Sequence, residues 1–178
     1  MYLIMRCTFL MVTVTLYSLV ESKCPSLFEE FNKACYYYGN NQVATPEDAK
    51  RTCGSLGGYL LNVDADLENS HTIDRLKAQS TVFDGYWIGG KYDNNNRIWV
   101  WERADMNGRP VIEYMNPEES QYANWGPGQP DAIVGFEYRP YVAIMVRYRV
   151  QPWAWYSETR LNNLRMSYVC EAYWKEDV

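Results

Sequence analysis

The alternation of apolar and polar positions predicts a helix over "TPEDAKRTCGSLGG". Thr45 can accept hydrogen bonds as the N-cap, and Pro46 suits the first helical position. Ala49, Cys53 and Leu56 then fall on one face. The glycine pair that follows is typical of a helix end.

A second helix is predicted over "DLENSHTIDRLKAQ". Asp66 is expected to cap it. Leu67, Ile73 and Leu76 are expected to face inward, because they are the large apolar residues of the segment.

Short apolar runs predict strands before, between and after these helices. They are "CYYYG", "GYLLNV", "GYWIGG", "YVAIMVRY", "WAWYS" and "MSYVCEAYW". "RIWVWE" alternates Ile98 and Val100 with Trp99 and Trp101, the period of a half-covered strand. Residues 103–140 are polar and dense in Asn, Pro, Gly and Glu, and a loop of such length usually carries function.

Composition limits the classes of function. A chain of 178 residues fits one domain of ordinary size. The formal net charge of −5 argues against a nucleic-acid partner, which would favour a basic patch. The 16 Tyr and 7 Trp suit recognition surfaces as well as cores, because each ring joins an apolar face to a polar tip.

Residues 1–22 are predicted to be a signal peptide. Arg6 precedes the apolar run "CTFLMVTVTLYSLV", and Val20-Glu21-Ser22 offers a cleavage site. The run is short for a membrane span, although an uncleaved anchor is the alternative. The sequence therefore predicts a secreted, extracellular domain over residues 23–178, with no membrane segment after cleavage.

Cleavage would leave four cysteines, Cys24, Cys35, Cys53 and Cys170. An even number in an oxidising compartment predicts disulfides, and four cysteines allow three pairings. The spacing favours a short bridge, 24–35, and a long one, 53–170. The cysteines are too widely spread for the close ligand pairs of a zinc site.

The candidate chemistry lies in "NWGPGQPD", residues 124–131, which places Gln129 and Asp131 on either side of Pro130. His71 is the only histidine and has no nucleophile motif beside it, so we predict that the protein is not an enzyme.

The order of these motifs resembles the C-type lectin-like domain. "CYYY", the first helix, "WIGG", "NWGPGQPD" and "YVCE" follow one another over residues 24–174. The resemblance implies an α+β double-loop fold with two helices and antiparallel sheets. It also implies the Cys53–Cys170 bridge, the Cys24–Cys35 bridge of the family's long form, and a ligand site in the long loop region.

The resemblance further implies a carbohydrate site. In the family, a triplet such as Gln129-Pro130-Asp131 contains a cis proline, and its two polar side chains meet a Ca²⁺ ion and sugar hydroxyls. Glu137 lies where another carboxylate ligand is usual. The Gln-Pro-Asp form is similar to that of galactose-type members, which implies glycan partners bearing galactose or an N-acetylhexosamine (GalNAc or GlcNAc).

The chain also departs from the family pattern. Tyr156 and Ser157 stand where calcium-binding members have Asn and Asp, so the cage formed by Gln129, Asp131 and Glu137 is short of oxygen ligands. Calcium is then weakly bound or absent.

Without the metal, the candidates for stacking on a sugar ring are Trp125, Trp153, Trp155 and Tyr156, while Gln129 and Asp131 hydrogen-bond its hydroxyls. Trp153 and Trp155 alternate on one strand, so one of the two is expected in the core. A homo-oligomer would add avidity to a weak site, although nothing in the sequence fixes one. The departures leave a second interpretation open, in which the same fold binds a protein or ice.

Overall fold

The computed structural model describes residues 23–79, 82–105, 107–115, 122–161 and 163–175. The predicted signal peptide and its cleavage site lie outside these residues. Within the described ranges, no helix is long and apolar enough to cross a membrane.

The described elements follow one another in a mixed order, with both helices in the first half of the chain. The helices are α1 (Pro46–Ser55) and α2 (Asp66–Ala78). The strands are β1 (Glu29–Phe31), β2 (Ala34–Tyr38), β3 (Tyr59–Leu60), β4 (Gly85–Asp93), β5 (Ile98–Ala104), β6 (Pro110–Tyr114), β7 (Ile133–Val134), β8 (Glu137–Tyr138), β9 (Tyr141–Met145), β10 (Ala154–Glu158) and β11 (Met166–Tyr173).

Helix α1 confirms the sequence prediction. Thr45 Oγ1 accepts a hydrogen bond from the Asp48 backbone N–H at 3.1 Å, and Pro46 opens the helix. Ala49 and Cys53 are fully buried. The helix ends before Gly57, whose φ of 89° lies in the left-handed region that favours glycine.

Helix α2 is correctly located and Leu76 is buried as predicted, but the predicted cap at Asp66 and the inward position of Leu67 are wrong. The N-cap is Ala65, which makes no side-chain capping bond. Leu67 is 58% exposed, and the buried face is formed by Asn69, Thr72 and Leu76. Asn69 is drawn inward because its Oδ1 accepts the indole N–H of a buried tryptophan at 3.2 Å. This partner lies 86 residues away, so no local pattern reveals it.

Nine of the strands in the described part of the chain form one sheet. Its main path runs β1-β2-β11-β4-β5-β6, with β3 paired to β11 and with β9 and β10 attached through β4. Strands β4 and β11 pair in parallel, and the other pairs are antiparallel. Strands β7 and β8 form a separate hairpin.

The structure corrects the interpretation of residues 103–140 as one long loop. Strand β5 extends to Ala104, and β6 pairs with it across Pro110–Tyr114. Both Val100 and Trp101 of β5 are buried, so at this point both faces of the strand are covered, rather than one.

Two buried clusters hold the layers together. One contains Leu61, Leu76 and Ile144; the other surrounds Cys53 and Cys170. Both predicted disulfides, Cys24–Cys35 and Cys53–Cys170, are present. The second ties α1 to β11 and lies inside the core.

Candidate functional site

The loop of residues 124–131 is fastened along strand β10. Backbone hydrogen bonds join Trp155 N–H to Asn124 O at 2.8 Å and Gly126 N–H to Trp155 O at 2.9 Å. The Asn124 side-chain amide donates to Trp153 O at 2.9 Å. A Cβ at Gly126 would lie 2.2 Å from the Tyr156 ring, so this close approach requires glycine.

The Gln129–Pro130 peptide is cis, as the resemblance implied. Ser157 holds the loop on both sides of it. The Ser157 N–H donates to Gln129 Oε1 at 2.8 Å, and Ser157 Oγ lies 2.6 Å from both Gln129 Oε1 and the Asp131 backbone oxygen. The hydroxyl has one hydrogen, so it donates to one of these two acceptors at a time.

The two flanking side chains therefore have different surroundings. The Gln129 carbonyl oxygen faces the protein, whereas the Gln129 Nε2 makes only a 3.3 Å contact with Gly128 O. The Asp131 carboxylate lies at the surface, where Oδ1 accepts the Ile133 N–H at 3.0 Å.

Two acidic side chains near this loop, Glu137 and Glu158, are each paired with an arginine. Glu137 in β8 accepts hydrogen bonds from Arg139, including one from Nε at 2.8 Å. Glu158, at the end of β10, is buried and pairs with Arg149. Burial raises the pKa of the Glu158 carboxyl, while Arg149 and then Arg139 act to lower it.

The candidate stacking residues differ in exposure. Trp125 is half-buried, with its ring centroid 5.4 Å from that of Trp99 and 5.7 Å from that of Trp155. Trp155 is in the core and Trp153 is half-exposed, which confirms that one of this pair is buried. Tyr156 is only 4% exposed, so its ring supports the loop rather than offering a face to solvent.

The arrangement does not fit a calcium cage. Gln129 Oε1 already accepts from Ser157, and Glu137 is held by Arg139. Nearby Arg149 adds a second guanidinium, whose charge opposes a cation. Across the described ranges, no three His, Cys, Asp or Glu side chains are grouped so as to hold a metal ion.

Sequence reasoning missed the role of Ser157 and the Glu158–Arg149 pair. Ser157 was noted only as a departure from the family pattern. One signal was available for Glu158, because a carboxylate closes the run "AWYSE", in which the other residues suit a buried strand.

Solved structures resemble this architecture over most of the chain. The complex of SPL-1 with GlcNAc matches with a TM-score of 0.62 and 25% identity, covering 83% of this chain and 93% of that one. The Ca²⁺-independent C-type lectin SPL-2 from Saxidomus purpuratus also matches with a TM-score of 0.62, at 23% identity, covering 84% of this chain and 93% of that one. The chain has the C-type lectin-like fold. The predicted α+β architecture is thereby confirmed.

Curated proteins with similar sequences include C-type lectin domain proteins, in agreement with this fold. A perlucin-like protein from Mytilus galloprovincialis is 28% identical over 111 residues, 61% of either chain. C-type lectin domain family 12 member B from Mus musculus is 28% identical over 80 residues, 44% of this chain and 28% of the relative. The matched region thus spans less than two thirds of these relatives. No protein-family model matches the chain.

Proposed function

We propose that this C-type lectin-like domain is a secreted, non-catalytic lectin that binds glycans through the loop of residues 124–131. Its structural relatives support the class of ligand, since SPL-1 is described in complex with GlcNAc. The two disulfides support an oxidising compartment, as expected of an extracellular protein.

The exposed carboxylate of Asp131 carries this proposal. It lies on a loop that Ser157 and β10 hold in place, so little conformational entropy is lost when a ligand binds. A carboxylate accepts hydrogen bonds from two neighbouring sugar hydroxyls, and Gln129 Nε2 can donate to a third oxygen.

We propose galactose or an N-acetylhexosamine as the bound sugar, because the triplet is of the Gln-Pro-Asp form. The half-exposed rings of Trp125 and Trp153 are the stacking candidates. Glu137 is a further polar contact, and Tyr156 acts by supporting Gly126.

We propose that sugar binding at this site does not require calcium. Ser157 occupies the Gln129 oxygen that a metal would need, and Arg139 occupies Glu137. The guanidinium groups supply the positive charge that balances the carboxylates of this region.

Retention on immobilised galactose, GalNAc and GlcNAc, with and without chelator, tests both the sugar site at Asp131 and its independence of calcium. We expect retention in chelator, and loss of it in Asp131→Ala. The matched control is Asp74→Ala, which removes an exposed carboxylate from α2 and should leave retention unchanged. Unchanged retention of Asp131→Ala would contradict the site, and release by chelator would contradict the metal-free account.

One observation favours a second candidate, a protein-binding or ice-binding module of the same fold. Because Gln129 Oε1 is turned into the protein, one of the two expected sugar-contacting oxygens is lost. A glycan array without a dose-dependent signal from the folded protein would support this alternative.

A further inference from the structure

Strand β6 lies at an edge of the main sheet and exposes apolar side chains there. Within the described part of the chain it pairs only with β5, so one side of the strand has no partner strand. Ile112 is 58% exposed and Tyr114 is 57% exposed. An edge strand of this kind presents unpaired backbone N–H and C=O groups to any strand that can lie beside it.

The pairing with β5 decides which backbone groups of β6 point outward. The Met115 N–H donates to Trp99 O at 2.9 Å, so this pair of opposite residues is joined by a hydrogen bond. Along an antiparallel ladder, hydrogen-bonded pairs alternate with pairs that are not bonded. The even-numbered residues of β6, which include Ile112 and Tyr114, therefore turn their backbone groups to the free edge.

This free edge is complementary to a second copy of itself. In an antiparallel pair about a two-fold axis at Ile112, each Ile112 faces its own copy, and the two exchange N–H···O=C bonds. The Tyr114 N–H of each copy then donates to the Pro110 carbonyl of the other. Since proline has no N–H, this register satisfies every outward N–H group of the strand.

The charges beside the edge are compatible with the same register. Glu113 is the charged residue of β6, and Arg103 of β5 pairs with it. Arg109, just before the strand, is exposed and forms no ion pair with a carboxylate of the described residues. In the two-fold register, Arg109 of one copy lies diagonally across from Glu113 of the other, a separation that long side chains can bridge. Opposite charges thus meet at both ends of the strand pair.

A cavity beside β6 lies where the second copy would place an aromatic ring. The cavity has a volume of about 210 Å³ and lies between α1 and the β5–β6 hairpin, with Gly54, Pro110 and Ile112 among its lining residues. Opposite residues of an antiparallel pair point to the same face of the sheet. Tyr114 of the second copy would therefore lie beside Pro110 and cover apolar walls of the cavity, which favours association.

We propose that two copies of the chain associate through β6, with Ile112 on the two-fold axis and Tyr114 of each copy beside the cavity of the other. A second copy is the partner that fits this edge, because the same short strand supplies the donors, the acceptors and both members of the ion pair. The inference goes beyond the proposed function, since the association is measured without any sugar.

Analytical ultracentrifugation of the purified protein over a series of concentrations tests this association. We expect an equilibrium between monomer and dimer. Ile112→Asp should weaken the association by at least about tenfold, because it places two carboxylates opposite each other on the two-fold axis. Ile112→Lys should weaken it in the same way. An equimolar mixture of the two variants should associate again, since opposite charges then face each other.

The matched control is Leu67→Asp, which introduces the same charge at an apolar residue of α2 that is also 58% exposed. This variant should associate as the unmodified protein does. Circular dichroism should show all three variants folded, because neither position is buried.

An unmodified protein that stays monomeric at every concentration would overturn the inference. It would also be overturned if Ile112→Asp associated as tightly as the unmodified protein, or if Leu67→Asp lost association to the same extent. A mixture of Ile112→Asp and Ile112→Lys that stays monomeric would refute the register, because the two positions would then not face each other.

Discussion

Replacing Glu171 by glutamine tests whether a buried carboxyl of β11 is neutral in the folded protein. Glu171 lies opposite Tyr59 in the sheet, and its Oε2 accepts the Asn62 backbone N–H at 3.2 Å. Burial is the main cause that raises its pKa from 4.5 to about 8, and the charge of Glu68 adds to it.

This shift makes folding stability depend on pH with a defined sign. The unfolded chain releases the proton near pH 4.5, whereas the folded protein holds it until about pH 8. The free energy of unfolding therefore falls as pH rises through this window. At about 1.4 kcal/mol per pKa unit, the loss reaches about 3 kcal/mol by neutral pH and up to about 5 kcal/mol above the folded-state pKa.

Glutamine has the shape of the protonated acid and does not ionise. In acid, Glu171→Gln should therefore be nearly as stable as the parent protein. As pH rises, its free energy of unfolding should increase relative to that of the parent. Urea unfolding followed by tryptophan fluorescence at about pH 5 and about pH 9 should show the difference in unfolding free energy growing by about 3–4 kcal/mol.

Glu30→Gln, at an exposed position of β1, is the matched control, because it makes the same chemical change where water surrounds the side chain. The difference in unfolding free energy between Glu30→Gln and the parent protein should be the same at both pH values. The reasoning about Glu171 is refuted if the Glu171→Gln difference is equally independent of pH, since the carboxylate would then be ionised and compensated in the folded state.

Two further predictions concern the loop that carries the candidate site. Gly126→Ala should lower the free energy of unfolding by about 1–3 kcal/mol, because the new methyl group meets the Tyr156 ring. Gly54→Ala in α1 is the contrasting variant. A Cβ there meets open space, so this change should raise the free energy of unfolding by about 0.5–1 kcal/mol. Equal effects of the two alanines in thermal denaturation would argue against the packing account. Ser157→Ala removes the hydrogen bond from the Ser157 hydroxyl to Gln129. It should lower the free energy of unfolding by about 1 kcal/mol, or Tm by about 2–4 °C, and it should weaken glycan retention. An unchanged Tm and unchanged retention would mean that this bond does not hold the loop.

Much of the frame could be predicted because its signals are local or covalent. The cap at Thr45 and the proline after it define the start of α1 within a few residues of sequence. Cysteine spacing favoured the two bridges that the structure contains. Pro130 and its polar neighbours indicated the loop in which the cis bond occurs.

The polar details depended on tertiary contacts. Leu67 was expected inside α2, yet the helix turns Asn69 inward to a tryptophan far along the chain. In the same way, Ser157 turns the Gln129 oxygen into the protein across 28 residues. No periodicity within a helix or a loop encodes such partners.

The sequence by itself determined the positions of the helices, the favoured cysteine pairs and the location of the candidate site. A helix cap and a proline act on the backbone within a few residues, and cysteine is the residue type that forms a covalent cross-link. The tertiary structure decided which polar atoms remain free at Asp131 and whether Glu171 holds its proton. Burial and hydrogen-bond partners come from segments brought together only by folding, and these set the energy of a polar or charged group.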